Sequence, residues 1–435
     1  MNRPKSALRS WHCPRIAIVL CGVAALLWSS AIPTASAVDA PVPLLAKGKP
    51  VDWWFIYKFN SKPPFNLCGD TTEPRSCPFG GKLRTQDGSN YSQQFAFASS
   101  GSGDAGKLTR GKGCVGTTST DPLGATFDEL YNGSPFFVIW NDQFYGDPKL
   151  EACGAKGNCD KPWGHSKGML AWNEAGEGLV LQVTTPSWPA AGSKKNPRKA
   201  GNTLGCVSTQ NNLNNAQHFF ALKLDKKGVL AVLKALENSS VVTDPDNDQI
   251  ARLGGPPEIR DQAEKLGKKS TSKDIIVTEL AKNVRMISKP SSLNVPPWQM
   301  VSALLDGASE RTATWWANPR IYSTTKSTAV KCWEGEVKDK KRGAVAIAKT
   351  GTWEGRKIGL IGGQNHAKIG VTTSGDKHYA IFGDLNQQGT LNPVKGRCDS
   401  SQNGRGGLFF VVENQELFET VSDLLAGETE PTKAK

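Results

Sequence analysis

What this chain has little of narrows its chemistry first. Only five histidines occur in 435 residues, and no two cysteines are spaced as C-x-x-C. No carboxylates recur at calcium or magnesium spacing. These absences speak against a zinc ribbon, a thioredoxin-type redox centre and an EF-hand-like site, and no cofactor or metal is expected. One segment, GSGDAGK at Gly101–Lys107, fits the glycine and lysine pattern of a phosphate loop. Leu108 stands where the magnesium-binding Ser or Thr is required, and no strand-then-helix context surrounds it, so a nucleotide site is not expected.

Long apolar runs are also scarce. The first 37 residues hold one, IAIVLCGVAALLW, behind an acid-free basic lead and ahead of the small residues ASA. That pattern predicts a removable export signal over 1–37. No later stretch is apolar for long enough to cross a bilayer, so no membrane span is expected after signal removal. The leader carries Arg3, Lys5, Arg9 and Arg15, which leaves a net charge of +9 out of +13. An exported basic chain suits polyanionic partners. Eight cysteines remain, an even count that implies up to four disulfides in an oxidising compartment. Cys68 with Cys77, and Cys153 with Cys159, look like local loop staples. A secreted or periplasmic location follows, or a lysosome-like one in a eukaryote.

What is there reads as strands mixed with helices. VDWWFIYKF, PFFVIWND, GHSKGMLAWN, GLVLQVTTP, IIVTEL, HAKIGVTT and HYAIFGDLN have strand character. LDKKGVLAVLKALEN and VENQELFETVSDLLAG carry apolar residues at helical spacing. A polar stretch over 241–273 is expected to link a half at 38–240 to a half at 274–435. The fold class expected is α/β (α+β), with two similar halves.

Two of the histidines share a frame: His165 with Lys167, and His366 with Lys368. Residues two apart in a strand share a face, so each frame should project His and Lys together. A histidine can attack phosphorus or protonate a leaving oxygen, and a lysine can hold a phosphate oxygen. Asn386, in GDLN, would add a neutral donor for charge that builds on the equatorial oxygens. One frame facing the other would supply a neutral nucleophile and a protonated acid. The activity optimum should then lie at acidic to near-neutral pH, where the coupled pair shares a proton.

In order along the chain, VDWWFIYK, GATFDELY, IWNDQ, GHSKG and GNTLGCVS resemble the deoxyribonuclease II family of the phospholipase D superfamily. The later half adds Cys332, NHAK, GDLN and QNGRGG to that resemblance. The similarity implies two pseudo-symmetric phospholipase D-like halves, each a mixed β-sheet flanked by helices, meeting at one active site. It implies DNA as partner, metal-independent endonuclease action, 3′-phosphate ends and a phosphohistidine intermediate. His165, Lys167, His366 and Lys368 become the catalytic quartet, joined by Asn386 and Asp384. Asn141, Asp142 and Arg405 become substrate-binding candidates. Either histidine can be the nucleophile on this reading. Two departures stand out: Thr373 lies where the superfamily has an Asp five residues after the lysine, and Val183 where the family has a further histidine. His218 and His378 are expected to be structural or surface residues. The rival readings are a phospholipid phosphodiesterase of the same superfamily and a non-catalytic DNA-binding homologue.

Overall fold

The run WWFIYK alternates in where its side chains go. Trp53, Phe55 and Tyr57 enter one apolar cluster, and Trp54 and Ile56 enter another on the opposite side. That is the two-residue period of a strand buried on both faces. A computed structural model describes residues 39–60, 94–101, 105–112, 115–116, 120–133, 136–144, 148–186 and 215–432. The expected signal, Cys68 with Cys77, and the GNTLGCVS motif lie outside the described residues.

The first sheet is built from β1 (Trp53–Lys58), β2 (Phe95–Ser99), β3 (Thr109–Arg110), β4 (Phe136–Asn141), β5 (Lys167–Trp172), β6 (Gly178–Val183), β7 (Gln217–Leu224) and β8 (Ala251–Arg252). Its order is β3-β2-β1-β7-β6-β5-β4-β8. The second sheet uses β9 (Ile276–Ala281), β10 (Val284–Lys289), β11 (Glu310–Ala313) and β12 (Val345–Ala348). After the hairpin β13 (Thr350–Trp353) and β14 (Arg356–Gly359), it continues with β15 (Ile369–Thr372), β16 (Tyr379–Gly383), β17 (Gly407–Glu413) and β18 (Thr429–Glu430). Its order is β18-β12-β11-β15-β16-β17-β10-β9. Strand pairings in the first sheet are antiparallel. In the second, β11 and β12 run parallel. The mixed sheet expected in each half therefore describes the second sheet and not the first. Neither sheet closes into a barrel.

Five α-helices occur among the described residues: α1 (Pro122–Gly133), α2 (Lys226–Asn238), α3 (Pro257–Ala263), α4 (Pro297–Leu304) and α5 (Gln415–Leu425). None is long and apolar enough to cross a membrane. The Asp225 carboxylate caps α2 by accepting from Gly228 N, and Asn414 caps α5 by accepting from Leu417 N. The sheets meet face to face. Phe55 stacks on Phe382 at 4.2 Å, and Phe220 lies 5.2 Å from Phe410. Apolar residues of α2 and α5 join that central cluster, while α1 and α4 cover the outer faces. The described residues form one compact unit. The polar 241–273 stretch is folded: Val242 and Ile250 are core, and β8 pairs with β4.

This packing places one end of seven strands together. There the first sheet contributes the ends of β4 and β6 and the starts of β5 and β7. The second contributes the starts of β15 and β17 and the end of β16.

Candidate active site

Both His-x-Lys frames lie at that edge, in the residues that enter strands rather than within them. Lys167 is the first residue of β5, and Lys368 immediately precedes β15. The frames thus differ from the expected strand pairs. Each histidine leaves the ladder and reaches across to the other sheet. His165 Nδ1 lies 2.8 Å from Asp384 O, just past β16. His366 Nδ1 lies 2.8 Å from Thr184 O, just past β6. A carbonyl oxygen only accepts, so each Nδ1 carries the proton and each Nε2 is the atom left for chemistry. The main chains cross in the same way: His165 N donates to Gly406 O and His366 N to Ala216 O, both at 2.8 Å. Glycine is required at Gly406, because a Cβ there would stand 2.2 Å from Ser239 O.

Burial dominates the electrostatics. His165 and His366 are buried, with 6% and 7% of their surface exposed. Burial, followed by the charges of Lys167, Arg405 and Lys368, holds His165 well below the ordinary imidazole range. Burial, followed by Lys368, Lys167 and His165, does the same to His366. Each histidine senses cations of both frames, and His366 also senses His165. Lys368 is itself pushed well down by burial and by Lys167. Its Nζ donates to His366 O at 2.5 Å and stands 3.3 Å from His366 Nδ1. The shorter Thr184 contact claims the Nδ1 proton, so the ammonium–imidazole approach is no true hydrogen bond. The ring of Trp315 packs 5.4 Å from His366.

Lys167 is placed differently. Its Nζ donates to Asp142 Oδ1 at 2.6 Å, and Arg405 Nη2 donates to Asp142 Oδ2 at 2.9 Å. The Arg405 guanidinium also donates to the carbonyls of Trp163, Cys159 and Gly164. The expected DNA-phosphate contact of Arg405 therefore meets an inward-turned side chain. The Cys153–Cys159 disulfide staples the adjoining loop, and Cys159 N donates to Asp142 O at 2.8 Å. Lys289 supports the Arg405 loop from below, its buried Nζ donating to Pro290, Leu293, Asn403 and Arg405 carbonyls. Burial pushes that ammonium down to about 7.

Asp384 holds His165 by its main-chain oxygen. Its carboxylate accepts from Gln182 Nε2 at 2.9 Å and from Leu408 N at 2.8 Å. Burial raises its pKa to about 6, opposed by the Leu408 amide, the Ser166 hydroxyl and Gln182. Asn386 Nδ2 donates to Gln388 Oε1 at 2.8 Å, and its Oδ1 is buried with no partner among the described residues. Asn141 is buried, and its Oδ1 accepts from Gln143 N at 2.8 Å. His378 lies apart, exposed and stacked on Phe418 at 4.5 Å. Gln182, His218 and Lys289 were not singled out by sequence as site residues. The only signal for His218 is a polar residue on the core-facing side of QHFFALKL. Among the described residues, no three His, Cys, Asp or Glu side chains gather as a metal-binding group.

A sequence model of the deoxyribonuclease II family matches residues 44–236. The likeness to that family extends over somewhat less than half of the chain. The matched span carries the first frame, from before β1 into α2. No curated protein matches the chain. The family it resembles is one of deoxyribonucleases. Two disulfides among the described residues, Cys153–Cys159 and Cys332–Cys398, suit an extracellular type of compartment.

Proposed function

We propose that this protein is a deoxyribonuclease II-type endonuclease that cleaves DNA without a metal ion and leaves 3′-phosphate ends. The observation that carries the reading is reciprocal anchoring. Each histidine is held through Nδ1 by a carbonyl from the opposite sheet, which supports a reading in which both Nε2 atoms are left for chemistry.

The neutral Nε2 of His165 attacks phosphorus, forming a P–N bond. The P–O5′ bond breaks, and the departing oxygen takes the Nε2 proton of protonated His366. Water then attacks the phosphohistidine, with neutral His366 accepting its proton. The P–N bond breaks, and a 3′-phosphate and free His165 result. Lys167 and Lys368 supply positive charge to the equatorial oxygens. Asn386 adds an amide donor. Asp142 and Arg405 hold Lys167 in place, and Asp384 orients His165. The pseudo-symmetry of the two halves is part of this proposal.

The test is plasmid nicking across a pH series with excess chelator, followed by end-group analysis. Chelator-resistant nicking with 3′-phosphate ends, lost in His165→Ala and His366→Ala, is the expected result. No nicking at any pH, or 5′-phosphate ends, refutes the reading.

A further inference from the structure

We propose that His218 is a positioning residue of this site, a permanently neutral ring that ties the second His-x-Lys frame to Asp384 and, through Asp384, to His165. The inference rests on the nuclease reading above and adds a third functional histidine, from β7.

A run of hydrogen bonds carries it. Lys368 N donates to His218 Nδ1 at 3.1 Å. His218 Nε2 lies 3.1 Å from Gln182 Oε1. Gln182 Nε2 donates to Asp384 Oδ1 at 2.9 Å. The Asp384 main-chain oxygen accepts from His165 Nδ1 at 2.8 Å. Four contacts thus join one frame to the other and cross between the sheets.

The direction of each bond is fixed from its ends. A backbone N–H can only donate, so His218 Nδ1 facing Lys368 N must be unprotonated. The ring proton then sits on Nε2, which donates to the carbonyl side of the Gln182 amide. That leaves the Gln182 NH2 for the Asp384 carboxylate, whose other oxygen is held by Leu408 N. A second ring proton would set donor against donor at the Lys368 amide. His218 is therefore not a general acid or base.

Its surroundings agree. His218 is fully buried, with Phe55 of β1 and Phe382 of β16 at 6.3 and 6.0 Å. Tyr57 stands in register with it on β1, and burial keeps that hydroxyl protonated. The charged groups it meets are Lys368 directly and Asp384 through Gln182. Burial and the Lys368 charge both oppose protonation of the ring. Without His218, the Lys368 amide loses a buried acceptor and Gln182 is free to turn its oxygen toward Asp384.

The experiment combines ring 15N–1H correlation spectra of the wild-type protein with kinetics of His218→Phe, His218→Asn and His218→Gln, scored per folded molecule. The expected spectrum shows a neutral Nε2–H ring over about pH 4–8. For His218→Phe, kcat should fall about 10- to 100-fold, with KM for DNA within about threefold. His218→Asn keeps an acceptor for the Lys368 amide, and His218→Gln keeps a donor for Gln182. Each should recover part of the lost kcat. A ring that titrates in that range overturns the inference, as does a His218→Phe kcat within about twofold of wild type. If His218→Phe fails to fold, the spectrum and the Asn and Gln variants decide in the same way. A wild-type protein that nicks no DNA at any pH instead removes the nuclease reading on which the inference rests.

Discussion

Asp142 offers the sharpest test of how the site is held together. Its carboxylate is 1% exposed and is shared by two buried cations, Lys167 at 2% and Arg405 at 9%. Asp142→Ala removes the only carboxylate that these two contact among the described residues and leaves both charges buried without it. Breaking a buried ion pair by deleting one partner costs about 3–5 kcal/mol. A protein of this kind has about 5–15 kcal/mol of total stability, so the loss should be plain in a urea titration followed by tryptophan fluorescence with the disulfides intact. Arg405 keeps its three carbonyl acceptors, which places the expected loss near the lower end of the range. The double variant Asp142→Ala with Lys167→Met removes one orphaned cation and should regain about 1–2 kcal/mol. An Asp142→Ala protein within about 0.5 kcal/mol of wild type would refute the reasoning. Lost nicking in such a stable variant would assign Asp142 to the substrate instead.

Other predictions follow from the same geometry. Both catalytic histidines are held below the ordinary imidazole range by burial and by the lysines. The general acid therefore gains its proton only as pH falls below about 6.5, and nicking should rise from pH 7 into the acid range. A rate that stays flat up to pH 8 would contradict this. Lys368 is the largest charge acting on His366, so Lys368→Met should lower the maximal rate and move the alkaline limb to higher pH; an unmoved limb would refute that assignment. Replacing Cys153 and Cys159 by Ser removes the staple whose backbone grips Asp142 and Arg405. Denaturant unfolding should show a loss of about 2 kcal/mol together with weaker nicking, and unchanged activity would show that the loop holds its shape alone.

The frames were legible because His and Lys stand two apart in sequence, and local spacing survives folding. Their exact setting was not. Each frame reads as part of a strand, yet His165 and His366 must leave the ladder to reach carbonyls on the other sheet. The strand at 53–58 was clear from its aromatic and β-branched run, and α2 and α5 from their helical spacing. Gln182 was invisible because its partner Asp384 is 202 residues away, and the tie between Arg405 and Asp142 because 263 residues separate them. An arginine in a glycine-rich loop reads as a phosphate contact until a distant carboxylate turns it inward. The 241–273 stretch reads as a linker from its polar residues, but a few apolar ones, Val241, Val242 and Ile250, anchor it in the core. His218 looks like a stray polar residue in an apolar strand, since nothing local announces the Lys368 amide that it faces.

The claim beneath all of this is that His165 and His366 flank one phosphorus. A crystal structure of the protein with orthovanadate tests it most directly, since that ion adopts the five-coordinate shape of a phosphoryl-transfer transition state. The account predicts one vanadium bonded to one Nε2, with the other Nε2 hydrogen-bonded to the opposite apical oxygen and Lys167 or Lys368 on the equatorial oxygens. Vanadate bound by a single histidine, with the other ring facing a separate cavity, would contradict it.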